Sequence, residues 1–346
     1  MHTSACAKCF AEAAPGALAE MQRSAALALF VGASAFIALI AYEGLAPLLA
    51  ALAAGGWGLL AVAAFHLLPM CIDAAGMRVM LRAPLRRERV LRARWVGEAV
   101  NNLLPVAQLG GPLVMARFLV RGGCAPADAG AAVIVSTTQQ MLTQALFALA
   151  GIVLLTLHAN DPRLLWALLI GSALFGLNAL WFYRLQRRGD LFVRLARLLN
   201  KVSSGRQWLD FGGSAEALDQ AVQSAYARPG AARASFFLNL GGWVVGTGEV
   251  WLALQFLGHP VSLADALMIE SLGQAIRGIA FVIPAALGVQ EGGYVLLCGL
   301  VGIAPPVALA LSLTKRARDL ALGIPGLLYW QYAEGRWLRR RAAVIG

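Results

Sequence analysis

The sequence contains few charged residues for its length, and this shortage decides its class. Charged side chains make up 14% of the 346 residues, whereas hydrophobic ones make up 59% and the mean hydropathy is +0.68. Soluble globular chains carry about 25% charged residues. The low share of charge argues against an ordinary soluble domain and predicts an integral membrane protein.

Signatures of several enzyme classes are missing as well. The chain has no G-x-x-x-x-G-K-[ST] loop, which argues against a P-loop ATPase. It has no pair of Asp-rich motifs like those that hold Mg²⁺ and diphosphate in membrane prenyltransferases. Its four histidines show no metal-ligand spacing. We therefore expect neither a metal nor another cofactor, and an enzyme is not the leading hypothesis.

Cysteine is scarce, and its spacing gives no disulfide or metal framework. A zinc site at Cys6-x-x-Cys9 would need two more ligands, and only His2 is nearby. We interpret the cysteines as reduced thiols.

Long uncharged stretches recur along the chain. A membrane-spanning helix needs about 20 predominantly apolar residues. The stretches near or above this length are Ser24–Tyr42, Gly44–Ile72, Ala129–Leu157, Leu164–Tyr183 and Gly292–Thr314. They predict an all-α polytopic membrane protein with about 6–8 transmembrane helices. We predict transmembrane spans at about 24–43, 57–80, 127–157, 163–184 and 234–257. We interpret 24–43 as an uncleaved first span and not as a secretory signal.

The positive charge is concentrated in a few segments. The net charge is +11, which in a soluble protein would suggest nucleic acid as a partner. Arginine and lysine cluster at 78–94, 184–206 and 336–341, whereas the connections 43–56, 158–163 and 258–265 carry little positive charge. Basic loops remain in the cytoplasm. We expect a bacterial inner-membrane protein with both termini in the cytoplasm and no nucleic-acid partner.

Two membrane blocks flank one insert. The predicted divisions are a cytoplasmic tail (1–23), a first block (24–184), a basic amphipathic insert (185–232), a second block (233–335) and a basic tail (336–346). In the insert, Leu191, Leu195, Leu198 and Val202 share a helical face. This helix lies either on anionic headgroups or against the protein itself. The last apolar region, about 303–333, is either one charged span or two short pieces.

Each block contains a segment in which charge, proline and glycine interrupt the apolar sequence. These are 95–117, WVGEAVNNLLPVAQLGGPLVMAR, and 270–294, ESLGQAIRGIAFVIPAALGVQEGGY. Broken backbone and charge at membrane depth occur where protein or a water-filled cavity surrounds them. We predict two re-entrant or broken-helix hairpins. They align at an offset of 179 by their prolines and 182 by their Gly-Gly pairs, which indicates a diverged inverted repeat.

The first broken segment offers a site for an anionic group. Pro105 ends or kinks the helix, and the N–H groups at the start of the next helix can bind an anion. Arg117 could add a charge-assisted contact. The alternative is a polar helix at the interface, with Glu98 neutralised by neighbouring arginines. The candidate residues are Glu98, Asn101, Asn102, Pro105, Gln108, Gly110, Gly111 and Arg117.

The second broken segment contains an isolated arginine. Arg277 has uncharged residues for six positions on both sides, so it must face a partner or water. A structural ion pair with Glu270 or Glu291 is the alternative to a functional role. Gln140 belongs to a polar stripe that either lines the same cavity or supplies interhelical hydrogen bonds. The candidate residues of this half are Glu270, Arg277, Pro284, Gly288, Glu291, Gly292 and Arg316.

The motifs E-x-x-N-N-L-L-P-x-x-x-x-G-G, from Glu98, and P-x-x-x-G-V-Q-E-G-G, from Pro284, resemble the flippase-like membrane domain family. That family includes the membrane half of lysylphosphatidylglycerol synthases. The resemblance covers about 24–335, and it is greatest to the subgroup encoded with hopanoid biosynthesis enzymes.

This resemblance implies translocation of a lipid between leaflets, with membrane lipids as partners and a polar or hopanoid lipid as cargo. Some members carry an aminoacyl transferase as a separate soluble domain. The sequence ends soon after its last apolar region, so we expect this chain not to charge a lipid with an amino acid. A homo-oligomer is left open.

Three functional hypotheses follow. The leading one is a lipid translocase in which Arg117, Arg277 and Arg316 hold the headgroup and buried glutamates change protonation during turnover. The second is a membrane enzyme that modifies a polyisoprenoid or hopanoid, with Glu98 or Glu291 as general acid or base. The third is a non-catalytic scaffold that gathers soluble enzymes on the basic insert.

Overall fold

The computed structural model describes residues 45–83, 85–104, 110–156, 162–202, 211–280, 283 and 286–345. These ranges contain helices and no strand, so the predicted all-α class is confirmed. The helices are α1 (Leu45–Gly55), α2 (Gly58–Phe65), α3 (Leu67–Met80), α4 (Arg87–Leu103), α5 (Gly110–Arg121), α6 (Pro126–Leu155), α7 (Pro162–Arg187), α8 (Leu191–Val202), α9 (Phe211–Tyr226), α10 (Pro229–Phe256), α11 (Leu263–Ile279), α12 (Val289–Leu300) and α13 (Pro305–Ile345).

Four predicted spans, 57–80, 127–157, 163–184 and 234–257, agree to within five residues at each end with α2 and α3 together, α6, α7 and α10. Helix α1 is an exception, because it occupies the predicted connection 43–56, where leucine and alanine favour a helix. The last apolar region belongs to one helix, α13, which contains Pro325. The predicted first span, 24–43, lies outside the described residues.

Two helical stretches in the described part of the chain are long and apolar enough to cross a membrane, Gly58–Met80 and Pro126–Leu155. The first comprises α2 and α3, which adjoin at His66. Helix α7 also exposes apolar side chains along one face: Trp166, Ile170, Leu174, Leu177 and Trp181, each 55–64% exposed. An exposed stripe of this kind is suited to contact with lipid.

Helices α3 to α6 and α10 to α13 repeat one arrangement. Helices α3 and α10 end at Met80 and Phe256, and connections of equal length follow, 81–86 and 257–262. Helices α4 and α11 both have 17 residues, and α5 and α12 both have 12. The offset between the starts of α5 and α12, at Gly110 and Val289, equals that of the prolines in the two broken segments. The helix positions thus follow the offset of the prolines and not that of the Gly-Gly pairs.

The turn after the third helix of each repeat has the same geometry. Gly123 and Gly302 have φ values of +103° and +76°, which side chains other than glycine rarely adopt. The next residue, Cys124 or Ile303, donates its N–H to a carbonyl five residues earlier, and its side chain is buried. This is the Schellman ending of a helix. Because a proline then starts α6 and α13, both turns are set by the same local chemistry.

A glycine lets the two helices of each hairpin approach closely. A Cβ atom on Gly97 in α4 would lie 2.4 Å from Met115 Cγ in α5. A Cβ atom on Gly273 in α11 would lie 3.1 Å from Tyr294 Cε1 in α12. Gly97 and Gly273 are separated by the same number of residues as the ends of α3 and α10, and Met115 and Tyr294 by the same number as the starts of α5 and α12. The same contact between helices therefore occurs in both repeats. The predicted helix–break–helix hairpins are therefore present in both halves.

Helices α8 and α9 form the insert between the repeats. Helix α9 packs against α6, and the buried Asp219 carboxylate accepts the first backbone N–H groups of α8. Tyr226 donates to Gln186 at 2.8 Å, and burial raises the pKa of its phenol. Helix α9 thus packs on the protein, whereas Leu195 on the apolar face of α8 is 48% exposed.

Candidate functional site

His66 lies between two carboxylates from different repeats. Its Nε2 is 2.6 Å from Glu98 Oε1 of α4, and its Nδ1 is 2.5 Å from Glu249 Oε1 of α10. The Glu98 side chain is 22% exposed, and that of Glu249 is 3% exposed. One ring therefore connects a partly accessible acid with a buried one.

Arg318 of α13 provides a positive charge next to the buried carboxylate of Glu249. Its guanidinium contacts Glu249 and also binds Asp319 Oδ1 at 2.7 Å. Its Nη1 lies 2.9 Å from His66 Nδ1. An unpaired charge at this depth would be costly, and the carboxylates of Glu249 and Asp319 compensate for it.

A second group joins α3, α4 and α6. Arg94 Nη2 binds Asp73 Oδ2 at 2.8 Å, and its Nη1 donates to Gln140 Oε1 at 3.2 Å. Gln140 in turn donates to Asp73 at 3.0 Å. Arg94 Nε is 3.9 Å from Glu98 Oε2, which connects this triad with the His66 group.

The ends of the two hairpins also come together here. Asn102, in the last turn of α4, accepts a hydrogen bond from Arg277 of α11 at 3.1 Å and donates to Asp319 at 3.3 Å. Arg277 Nη2 is 3.8 Å from Asp319 Oδ2. Side chains from both broken segments therefore meet on α13.

We call these connected side chains the central cluster. Its members are His66, Asp73, Arg94, Glu98, Asn102, Gln140, Glu249, Arg277, Arg318 and Asp319. The cluster contains four carboxyl groups and three arginines, so its charges balance when it holds one additional proton. A cleft of about 250 Å³, open solvent at its mouth included, reaches the cluster and also has apolar walls from Met70 and Leu322. Within the described residues, no group of histidine, cysteine and acidic side chains is arranged to hold a metal.

Two further ion pairs fix the second hairpin to α13. Lys315 contacts Glu270, and both side chains are almost completely buried. Arg316 Nε binds Glu291 Oε1 at 2.7 Å, and Glu291 also accepts the N–H of Gly288 at 2.7 Å. The sequence alternative that paired Arg277 with Glu270 or Glu291 is therefore wrong, because α13 supplies a different cation to each glutamate.

The other predicted residues of the first segment lie at the hairpin or on the surface. Asn101 accepts the N–H of Gly111 at 2.8 Å, which fixes the start of α5 at Gly110 to α4. Arg117 is half exposed and pairs with Glu334, away from Arg277 and Arg316. Of the remaining candidates, Gly292 lies within α12, and Pro105, Gln108 and Pro284 lie outside the described residues.

Sequence reasoning missed His66, Asp73 and Arg94, and it did not assign Glu249 or Arg318 to the site. Asp73 and Glu249 are acidic residues inside predominantly apolar helices, and the offset between them is the same as that between the ends of α3 and α10. This signal could have identified them as equivalent positions. Arg94 was counted among the basic loop residues, although it lies in α4.

The chain matches the family model described as the lysylphosphatidylglycerol synthase TM region over residues 24–326. The chain belongs to this family. No curated protein and no solved structure matches it.

The lysylphosphatidylglycerol synthase TM-region match includes every member of the central cluster and most of both repeats. Together with the apolar helices, membership identifies the chain as a membrane protein. The hopanoid-associated subgroup stays a prediction, because the match does not extend to that level.

Proposed function

We propose that this protein moves a polar lipid between the leaflets of the bacterial inner membrane, with both termini in the cytoplasm. The observation that carries the proposal is the central cluster, in which charged residues from two helical repeats converge beside a cleft between α3, α4 and α13. Charges at membrane depth are typical of substrate and ion pathways. A lipid translocase needs such a pathway for the headgroup while the acyl or ring portion stays in the bilayer.

The arginines behind the cleft have unused hydrogen-bond donors, whereas the cluster members that line the cleft itself are His66, Glu98, Asn102 and Asp319. The Nε atoms of Arg94 and Arg318 are buried and have no hydrogen-bond acceptor among the described residues. Arg277 uses Nη2 for its contacts with Asn102 and Asp319, and its side chain is 18% exposed. Guanidinium groups suit the oxygens of phosphate or carboxylate. We infer a headgroup rich in such oxygens, and the resemblance to the hopanoid-associated subgroup adds hopanoids to the candidates.

Reconstituted proteoliposomes provide the test. Labelled phospholipids and hopanoids are placed in one leaflet, and their appearance in the other is measured. The wild-type protein should speed the transfer of at least one polar lipid. Failure with every lipid in the panel, by a protein shown to be folded, would refute transport.

Arg277→Gln links the activity to the cluster. We expect this variant to fold and to lose most transfer, with partial recovery in Arg277→Lys because an ammonium lacks the planar fork of guanidinium. Arg233→Gln, at an exposed position on α10, is the matched control and should behave as wild type. In Arg277→Gln, Asp319 keeps its contact with Arg318 at 2.7 Å, so no carboxylate is left unpaired and the fold should be retained. Loss of thermal stability together with loss of transfer would instead assign Arg277 a structural role.

A membrane enzyme is the second candidate, and one contact favours it. His66 and Glu98 are 2.6 Å apart beside the cleft, which is a suitable arrangement for general acid–base chemistry. Mass spectrometry of the lipids after reconstitution separates the two candidates. Transport leaves every lipid chemically unchanged, whereas catalysis gives a new species.

A further inference from the structure

The contacts of His66 require one proton more than a neutral imidazole carries. Neutral imidazole carries one N–H, so it can donate to one carboxylate only. Both ring nitrogens of His66 nevertheless lie within 2.6 Å of carboxylate oxygens, from Glu98 and Glu249. Two unprotonated acceptors would repel each other at this distance. Either the ring is an imidazolium or one carboxyl group holds the additional proton.

The surrounding charges allow both protonation states. Glu98 contacts the ring from α4 and Glu249 from α10, and the charge of Asp73 on α3 also acts on it. Arg94 of α4 lies behind these acids, where it contacts Asp73 and Glu98. Arg318 and Asp319 approach from α13, and Arg318 Nη1 is 2.9 Å from Nδ1. When the ring is neutral and Glu249 holds the additional proton, Nε2–H can donate to Glu98 while Nδ1 accepts from Glu249 and Arg318. When it is protonated, Nδ1–H can donate to Glu249 and Arg318 can keep its bonds to carboxylates.

Exposure falls from one side of the ring to the other. Glu98 and His66 line the cleft, whereas the Glu249 side chain is only 3% exposed. A proton from the cleft can therefore reach Glu98, pass to Nε2, and leave Nδ1 for Glu249. The imidazole ring is suited to this transfer because it can gain a proton at one nitrogen and release one from the other.

We propose that His66, with Glu98 and Glu249, is a proton-binding site that couples proton movement to lipid movement. The coupling rests on the proposed transport function, but the proton site does not. Because α4 belongs to one repeat and α10 to the other, loss of the proton removes an attraction between the repeats. Protonation and the relative position of the repeats are therefore linked.

The coupling test measures the leaflet ratio of the transported lipid at steady state in proteoliposomes with and without a gradient of about one pH unit. One proton per lipid would change this ratio by up to about tenfold. The wild-type protein and His259→Asn, altered at an exposed histidine in the connection before α11, should respond alike. His66→Asn should lose the response of the leaflet ratio to the gradient, because asparagine cannot take up the proton. An equal ratio with and without the gradient in the wild type, or a full response in His66→Asn, overturns the coupling.

The proton site is tested without transport. Histidine-labelled protein is titrated by NMR over about pH 5 to 9, and the His66 signal is assigned by its loss in His66→Asn. We expect His66 to change protonation in this range and Glu98→Gln to shift its midpoint. A His66 signal with one protonation state throughout, unaffected by Glu98→Gln, overturns the site. If His66→Asn does not fold, His66→Gln serves for assignment. Absence of lipid transfer together with a normal titration refutes the transport proposal alone.

Discussion

The two repeats place different charges at equivalent positions. Asp73 in α3 and Glu249 in α10 are both acidic, but Arg94 in α4 corresponds at the same offset to Glu270 in α11. The first repeat therefore neutralises its acid within two neighbouring helices, where Arg94 binds Asp73 at 2.8 Å. In the second repeat, both corresponding positions are acidic.

The cations of the second repeat come from its long last helix instead. Lys315 and Arg318 in α13 pair with Glu270 and Glu249. Their equivalents in α6, at the offset that relates α12 to α5, are the uncharged Ser136 and Gln139. The same helical arrangement can thus neutralise its buried acids with cations from different helices. The first repeat is nearly self-sufficient in charge, whereas the second depends on α13.

Lys315→Met should produce the largest loss of stability, because it leaves the buried Glu270 without its cation. Breaking a buried pair from one side costs about 3–5 kcal/mol. Thermal unfolding of the purified protein in detergent measures the loss. The double variant Lys315→Met/Glu270→Leu should recover most of it, since no charge is then left unpaired. A stable Lys315→Met protein would contradict the dependence on α13.

Arg94→Gln tests the first repeat in the same way. We expect a smaller loss, about 1–3 kcal/mol, because Asp73 keeps its hydrogen bond from Gln140 and both side chains are partly accessible. Arg92→Gln, at an exposed position on the same helix, is the control and should cost at most about 1 kcal/mol. If Arg94→Gln unfolds the protein as readily as Lys315→Met, the contrast between the repeats is wrong.

Alanine at the two hairpin glycines compares the packing of the repeats. Gly97→Ala should destabilise by about 1–3 kcal/mol, because its Cβ would overlap Met115 and approach the Gly111 carbonyl. Gly273→Ala should cost less, since its nearest contact is 3.1 Å and alanine favours a helix by up to about 1 kcal/mol. Chemical denaturation of both variants ranks them. The reverse order would show that the second hairpin is the more tightly packed.

Arg117→Gln should have the smallest effect. Arg117 is half exposed, and its pair with Glu334 is supported by the nearby Arg121. Removal of a surface pair costs at most about 1 kcal/mol. We also expect lipid transfer to be retained, as measured in the proteoliposome assay. Strong loss of transfer in a folded Arg117→Gln protein would return this residue to the headgroup site.

The hairpins could be predicted from sequence because their causes are local. A proline marks the break in each segment, and isolated charges such as Arg277 indicate a polar environment. The pairing of the charges could not be predicted in this way. Arg277 contacts Asn102, 175 positions earlier, and Glu270 contacts Lys315, 45 positions later. Such partners are selected by packing of distant helices, which local patterns do not specify.

His66 was missed for a different reason. It is a single histidine within an apolar stretch, and no histidine or acidic residue stands directly beside it in the sequence to indicate a site. Its two carboxylate contacts exist only in the folded protein, where α4 and α10 place Glu98 and Glu249 next to its two ring nitrogens. Comparison of the two repeats would have identified Asp73 and Glu249, but not the histidine, because the equivalent position is Gly242.

The distribution of charges also affects the order of biogenesis. Asp73 and Arg94 are 21 residues apart, so they can enter the bilayer together as a neutral pair during synthesis. Glu249 and Glu270 leave the ribosome before their partners, Arg318 and Lys315, which follow 69 and 45 residues later. Until α13 is made, Glu249 has only His66 as a partner and Glu270 has no cation, so this part of the chain must stay at the translocon or near water. Synthesis of the last helix is therefore the step that supplies the cations of the second repeat and allows it to settle in lipid.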